Sequence, residues 1–345
     1  MPHPSRTRRT LILLAKLALA AVILGYLVVT GREGFVRIWN EPKNWTMLAV
    51  ALACTLAAIT LTFVRWHVLV AALGLRFRLP ETMRLGALGF ALNFVSLGSI
   101  GGDLFKAIFI AKDSPGRRTE AVATVIADRV LGVLMMLSLA TAATFMIDWT
   151  AAPAAVRVLV QSIRIATVVG LSGATLIILV PALSGPWLQE LLHAIPLAGP
   201  TAARLVGAVA TFRDRKHFVF TAAAISLVSN SLFILSFYFV ARGLPVQAAT
   251  MAEHFVIVPV ANLAGAIPAT PSGLGTLELA VEKMYLAVQG AATNKPGDGT
   301  LVALGQRATM ILVAVSCLAY YLAHQADLRE TIHDLEEAAE AAESA

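Results

Sequence analysis

Eight ionisable residues lie inside stretches that are otherwise apolar: Asp103, Lys106, Asp128, Arg129, Glu278, Glu282, Lys283 and Arg307. A charge at membrane depth costs several kcal/mol unless it is paired or hydrated, so each is a candidate for function. Acids and bases are nearly balanced, which implies internal pairing. Bases facing a wet cavity at that depth would hold an anion such as phosphate, and the acids would neutralise them when the site is empty. Some charges carry plainer readings. Lys16 can snorkel to the interface, Arg65 beside Trp66 reads as an interface anchor at the end of a span, and Glu282 with Lys283 reads as a solvated pair if its segment is shallow.

The two stretches holding most of these charges are broken by glycine and proline. The first runs from Asn93 through Gly98, Gly101 and Gly102 to Asp103; the second runs from Asn262 through Pro268, Pro271, Gly273 and Gly275 to Glu278. Each has an asparagine, a break, then an acid opening an apolar helix, and Asn262 follows Asn93 by 169 positions, about half the chain. Irregular backbone at membrane depth is tolerated only where protein or a water-filled cavity satisfies its polar groups. The breaks therefore mark a cavity, and the pattern predicts an inverted repeat of two re-entrant hairpins, about 85–111 and 254–290. The helices opening after Gly102 and Gly275 would turn free amides and a positive dipole end toward an anion. Asp103 as an N-cap and Glu278 as a first-turn acid are equally ordinary readings.

Competing chemistries find little support. Pro271-Ser272-Gly273 lacks the first glycine of a nucleophile elbow, and no GxxxxGK loop exists for ATP. Gly273-x-Gly275 leads to Glu278 rather than a third glycine, with no strand before it, which excludes a dinucleotide fingerprint. The seven histidines show no HExxH pairing, and Cys54 and Cys317 stand alone in apolar runs, so neither a metal site nor a disulfide is expected. No cofactor is implied.

The elements that must position these residues are membrane helices. The 345 residues are 58% hydrophobic and 14% charged, with mean hydropathy +0.76, and 48 charged side chains are too few to clothe a soluble surface of this length. Runs of about 20 apolar residues, enough to cross roughly 30 Å of hydrocarbon, occur near 10–30, 46–64, 121–147, 165–183, 218–241 and 301–323. The net charge is +6. The tail from His324 carries seven acids against Arg329, and the bases of the body fall in short clusters between apolar runs, which suits loops facing anionic lipid and argues against nucleic acid. With both hairpins re-entrant, 15 of the 27 bases collect on one side against seven on the other, placing both termini in the cytoplasm of a bacterial-type inner membrane. Ala18-Leu19-Ala20 imitates a cleavage site, but the apolar run continues to Thr30, so an uncleaved anchor is expected. Residues 184–217 read as an amphipathic cytoplasmic segment with Trp187, Leu188, Leu191 and Leu192 on one side, and 326–345 as an acidic cytoplasmic tail.

At these residues the sequence resembles the flippase-like membrane domain of the lysylphosphatidylglycerol synthase family. The matching pieces are Arg65-Trp66, Asn93 with Gly101-Gly102-Asp103 and Lys106, Asp128-Arg129-x-x-Gly132, Ile267-Pro268-x-x-Pro271-x-Gly273-x-Gly275-x-x-Glu278, and Arg307. Leu97 and Gly98 stand where the family pattern has proline, and Lys106 where arginine is commoner. The resemblance covers about residues 10–325 and implies the lipid-translocating part in free-standing form, with no lysine transfer.

The reading is an all-α polytopic membrane protein of about six transmembrane helices plus two re-entrant hairpins, with a membrane domain over 1–325. Its expected role is non-enzymatic translocation of a phospholipid or polyprenyl-linked head group. The substrate-binding set is Asn93, Gly101, Gly102, Asp103, Lys106, Asp128, Arg129, Pro268, Pro271, Gly273, Gly275, Glu278 and Arg307. The membrane lipid is the expected partner, and the chain is compatible with a homo-oligomer and with a separate lipid-modifying enzyme. Two other roles remain open: transport of a small soluble anion, and intramembrane lipid transfer with Asp103 and Asp128 as acid and base.

Overall fold

The computed structural model describes residues 18, 21–23, 25–29, 32–75, 77–95, 101–114, 116–150, 152–180, 188, 199–267, 270, 273–288 and 295–323. The helices are α1 (Arg32–Asn40), α2 (Trp45–Ala72), α3 (Leu79–Val95), α4 (Gly101–Lys112), α5 (Arg118–Thr144), α6 (Ala154–Leu179), α7 (Gly199–Ala210), α8 (Lys216–Gly243), α9 (Met251–Ala266), α10 (Thr276–Val288) and α11 (Asp298–Ala323). Among the described residues there is no strand. Five helical stretches are long and apolar enough to cross a membrane: α2, α5, α6, α8 with the preceding turn from Arg213, and α11. They make the chain a multi-pass membrane protein. Most of the expected span at 10–30, nearly all of 184–198 and the tail after Ala323 lie outside the described residues.

Helix α6 begins at Ala154, eleven residues before the expected 165. The sequence hid this because Arg157 and Arg164 interrupt the apolar run. Both are satisfied locally. Arg164 donates to Thr144 Oγ1 at 2.9 Å and to Thr144 O at 3.0 Å, and Arg157 to the carbonyls of Thr150 and Ala152. They thereby serve the carbonyl-rich end of α5 and the turn after it.

The scaffold is the antiparallel pair α2 and α8, the most extensively packed helices of the fold. The Asn44 N–H meets Gly243 O at 2.9 Å at one end, and Arg65 reaches Ser226 near the other. Small buried residues let the backbones approach: Ala51, Thr55 and Ala58 from α2, Ala222, Ser226, Ser229 and Ser236 from α8. Their hydroxyls donate to carbonyls of their own helices, as Thr55 does to Ala51 O at 2.9 Å and Ser226 to Ala222 O at 2.8 Å. No hydroxyl of these is stranded in the apolar core.

Two helical hairpins insert into this scaffold from opposite ends. The base of α3 and α4 packs beside the end of α2, where Leu85 and Ile110 join Trp66, Leu73 and Phe212 in one apolar cluster. The base of α9 and α10 packs at the other end, where Val256, Ile257 and Tyr285 join Phe237 and Val302. Helix α9 starts with a complete capping box between Thr250 and Glu253, and the buried His254 bridges Thr250 O at 2.9 Å and the Tyr285 hydroxyl at 2.8 Å, tying the two arms together. The described parts of the two hairpins are thus anchored in separate apolar clusters.

Candidate functional site

Two residues of the Asp128-Arg129-x-x-Gly132 motif on α5, Asp128 and Gly132, owe their types to Arg65. Arg65 donates Nε to Asp128 Oδ1 at 2.7 Å, Nη2 to Oδ2 at 2.9 Å, and Nη1 to Ser226 Oγ at 3.2 Å. All of this is buried. A Cβ on Gly132, one turn past Asp128, would stand 3.1 Å from the guanidinium, so glycine leaves room for it. The expectation that Arg65 is an interface anchor is thus corrected: seven residues before the end of α2, it sits about 10 Å inside the helix end and locks α2, α5 and α8 together. Asp128 needed a fixed base, but nothing in the sequence singles out Arg65, 63 positions away, as that base.

At the first tip, Asn93 Oδ1 accepts the Gly102 N–H at 2.9 Å, clamping α3 to the start of α4. A side chain at Gly102 is impossible there, since its Cβ would lie 1.8 Å from Gly89 O. Gly101 opens the helix, so Asp103 stands in the first turn rather than at the cap. Its carboxylate is shared between Arg129 Nε and Lys106 Nζ, the latter at 3.8 Å. Lys106 also lies over the Trp66 ring, 5.2 Å from its centre. Arg129 engages Asp103 through Nε and its side chain is 55% exposed, which leaves its terminal nitrogens as donors for another group.

At the second tip, Gly273 has φ +66° and a Cβ there would meet Gly265 O at 2.6 Å. Gly275, also at positive φ, precedes α10 and gives its N–H to Glu278 Oε2 at 2.7 Å. The other Glu278 oxygen accepts from Arg307 Nε, and Arg307 Nη2 lies 3.5 Å from Gly273 O. Glu278 is thus both a helix-start acceptor and an ion-pair partner, so the two readings of it coincide. Pro268 and Pro271 lie outside the described residues. Glu282 is no solvated partner of Lys283. Buried, it accepts from Gly297 N, Thr300 N and Thr300 Oγ1 at 2.7–3.1 Å and caps α11, while Lys283 is exposed.

Both tips border one cavity of about 380 Å³. Asn93, Asp103, Lys106, Asp128, Arg129 and Arg307 line it, and Arg65, Asn230, Asn262 and Gln306 join them. Gly102, Gly273, Gly275 and Glu278 do not line it: Gly102 bonds Asn93, Glu278 and the Gly273 carbonyl bond Arg307, and Gly275 bonds Glu278. The site lies near mid-height of α5, since Arg129 is about 16 Å along the helix from Arg118 and about 22 Å from Thr144. Residues 13–317 match the family described as "Lysylphosphatidylglycerol synthase TM region".

The chain belongs to this family. No curated protein matches it. All of the charges of the cavity fall within the part of the chain that matches the lysylphosphatidylglycerol synthase TM region. Among the cavity residues, Asn230 and Gln306 escaped the sequence reading. They are uncharged, and only their place on buried helix faces distinguishes them from ordinary polar residues of a span. Asn262, equated with Asn93 by the repeat, has a different partner: its Nδ2 lies 4.0 Å from Met136 Sδ, and among the described residues it makes no bond across its hairpin.

Proposed function

We propose that this protein is a lipid translocator, moving a phospholipid or polyprenyl-linked head group through the cavity between its two hairpins while the acyl chains stay in the bilayer. The observation that carries this reading is the shared cavity, bordered by two oppositely inserted tips and lined by paired charges near mid-height of the spans. In this reading the hairpins are re-entrant. The end bearing Arg78, Arg117, Arg118, Arg213, Arg215 and Lys216 is cytoplasmic, by the positive-inside bias. Counting Glu278 behind Arg307, the cavity's four bases (Arg65, Lys106, Arg129, Arg307) face three acids (Asp103, Asp128, Glu278). One positive charge is left over, which suits a single phosphodiester.

The rim favours lipid over a soluble anion. Val133 and Leu263 line the cavity and are also exposed apolar side chains, and Leu104 beside Asp103 is exposed as well. A polar cavity with exposed apolar groups at its edge suits a ligand with a polar head and an apolar body. The transferase reading is less favoured, because Asp128 has both oxygens committed to Arg65 and offers no free base. We therefore read the chain as a transporter, acting on membrane lipid, rather than an enzyme.

Reconstituted vesicles carrying fluorescent phospholipid provide the test. Arg307→Ala and Asp103→Asn are expected to abolish translocation while the protein still inserts, and wild-type rates in both variants would discard the assignment of the site.

A further inference from the structure

Gln306 is 1% exposed, lines the cavity beside Arg307, and its Oε1 is buried with no hydrogen-bond partner among the described residues. Its orientation is fixed from the other end. Nε2 donates to Thr55 Oγ1 at 3.2 Å, and that hydroxyl spends its own proton on Ala51 O at 2.9 Å, so Thr55 can only accept from Gln306. The amide oxygen is thereby left in want of a donor, at a cost that a native site accepts only when something else satisfies it. Asn230 repeats the arrangement across the cavity. Its Nδ2 donates to Gly132 O at 3.0 Å, which leaves Oδ1 as an acceptor on a second cavity-lining amide. The cavity thus has two chemically distinct parts: exposed guanidinium donors at Arg129 and bare amide acceptors at Gln306 and Asn230.

We infer that the cavity selects phosphodiester lipids whose head group itself donates hydrogen bonds, with the phosphate on the bases and an N–H or O–H of the head group on Gln306 Oε1. The inference rests on the translocator reading and names its substrate class. A site built to receive a hydrogen bond rejects an analogue lacking the donor, because the buried acceptor then stays unpaired.

Head-group methylation isolates this. Phosphatidylethanolamine and its N-methyl and N,N-dimethyl forms keep at least one N–H at unchanged charge, and phosphatidylcholine keeps none. With acyl-labelled lipids in proteoliposomes, the wild-type protein is expected to move the first three and phosphatidylglycerol roughly tenfold faster than phosphatidylcholine. Gln306→Met, similar in volume but without the amide acceptor, should bring the ethanolamine-to-choline ratio to about one. A wild-type protein that moves phosphatidylcholine as fast as phosphatidylethanolamine overturns the inference while leaving the translocator reading intact. So does a Gln306→Met protein that keeps the wild-type ratio. No movement of any lipid by the wild-type protein would overturn the translocator reading, and the inference with it.

Discussion

The two hairpin tips are built to one plan and finished differently. Each closes glycine on glycine, Gly102 on Gly89 and Gly273 on Gly265, and each sets an acid in the first turn of its second helix against an arginine on a spanning helix. At the second tip the finish is closed: Glu278 is fully buried, its two oxygens are taken by Gly275 N and Arg307 Nε, and Arg307 also reaches a tip carbonyl. At the first tip the acid is divided between two bases, and one of them, Arg129, is more than half exposed. Similar chemistry therefore holds a structure in one place and stands ready for a ligand in the other. Under the proposed function, an arriving phosphate would meet Arg129 without breaking a completed pair, whereas Arg307 would become available only if the second tip loosened.

The largest effects should come from the glycines, where the two tips are most alike. Gly102→Ala places a methyl group 1.8 Å from backbone oxygen, and Gly273→Ala one at 2.6 Å with an unfavourable positive φ besides. Neither neighbour is a flexible side chain that can turn away. Both variants are expected to lose folded yield in detergent, Gly102→Ala the more severely; normal yield and melting temperature for either would mean that the tip backbones are not held so closely. At the acids the tips should diverge. Glu278→Gln removes the charge from a buried pair and leaves Arg307 unmatched, a loss of about 3–5 kcal/mol in favourable geometry. Asp103→Asn leaves an exposed Arg129 that water can serve and a largely buried Lys106 that loses its carboxylate, and a smaller loss of about 1–3 kcal/mol is expected. Thermal unfolding of the two variants compares them directly, and equal shifts would erase the distinction between a closed and an open tip.

Much of this arrangement could be read from residue types. Apolar run length marks membrane spans, and a run interrupted by glycine and proline beside a lone acid marks a hairpin, because both signals follow from the cost of unpaired polar groups in hydrocarbon. Which base meets which acid was not readable. Arg65 lies 63 positions from Asp128 and Arg129 26 from Asp103, and only the packing of α2, α4 and α5 decides between those pairings and their exchange. The start of α6 was hidden by Arg157 and Arg164, whose charges end an apolar run on paper but bond to nearby carbonyls in space. The amides were the least legible. Gln306 matters because one oxygen has no partner among the described residues, and that is a property of its surroundings rather than of the sequence.

The mildest substitution bears most directly on the open tip. Arg129→Lys keeps the positive charge near Asp103 and so should leave the melting temperature within a degree or two of wild type, since the base itself is more than half exposed. What it removes is the planar fork. A guanidinium can hold Asp103 through Nε while its two terminal nitrogens grip two phosphate oxygens together, but an ammonium is a point charge that must be divided between carboxylate and phosphate. Translocation is then expected to fall about tenfold, the loss of a charge-assisted hydrogen bond. Arg307→Lys should show the opposite balance, losing stability because Glu278 and the Gly273 carbonyl both depend on its guanidinium. If the two lysine variants lose rate and stability in equal proportion, the tips do not divide the work between binding and closure.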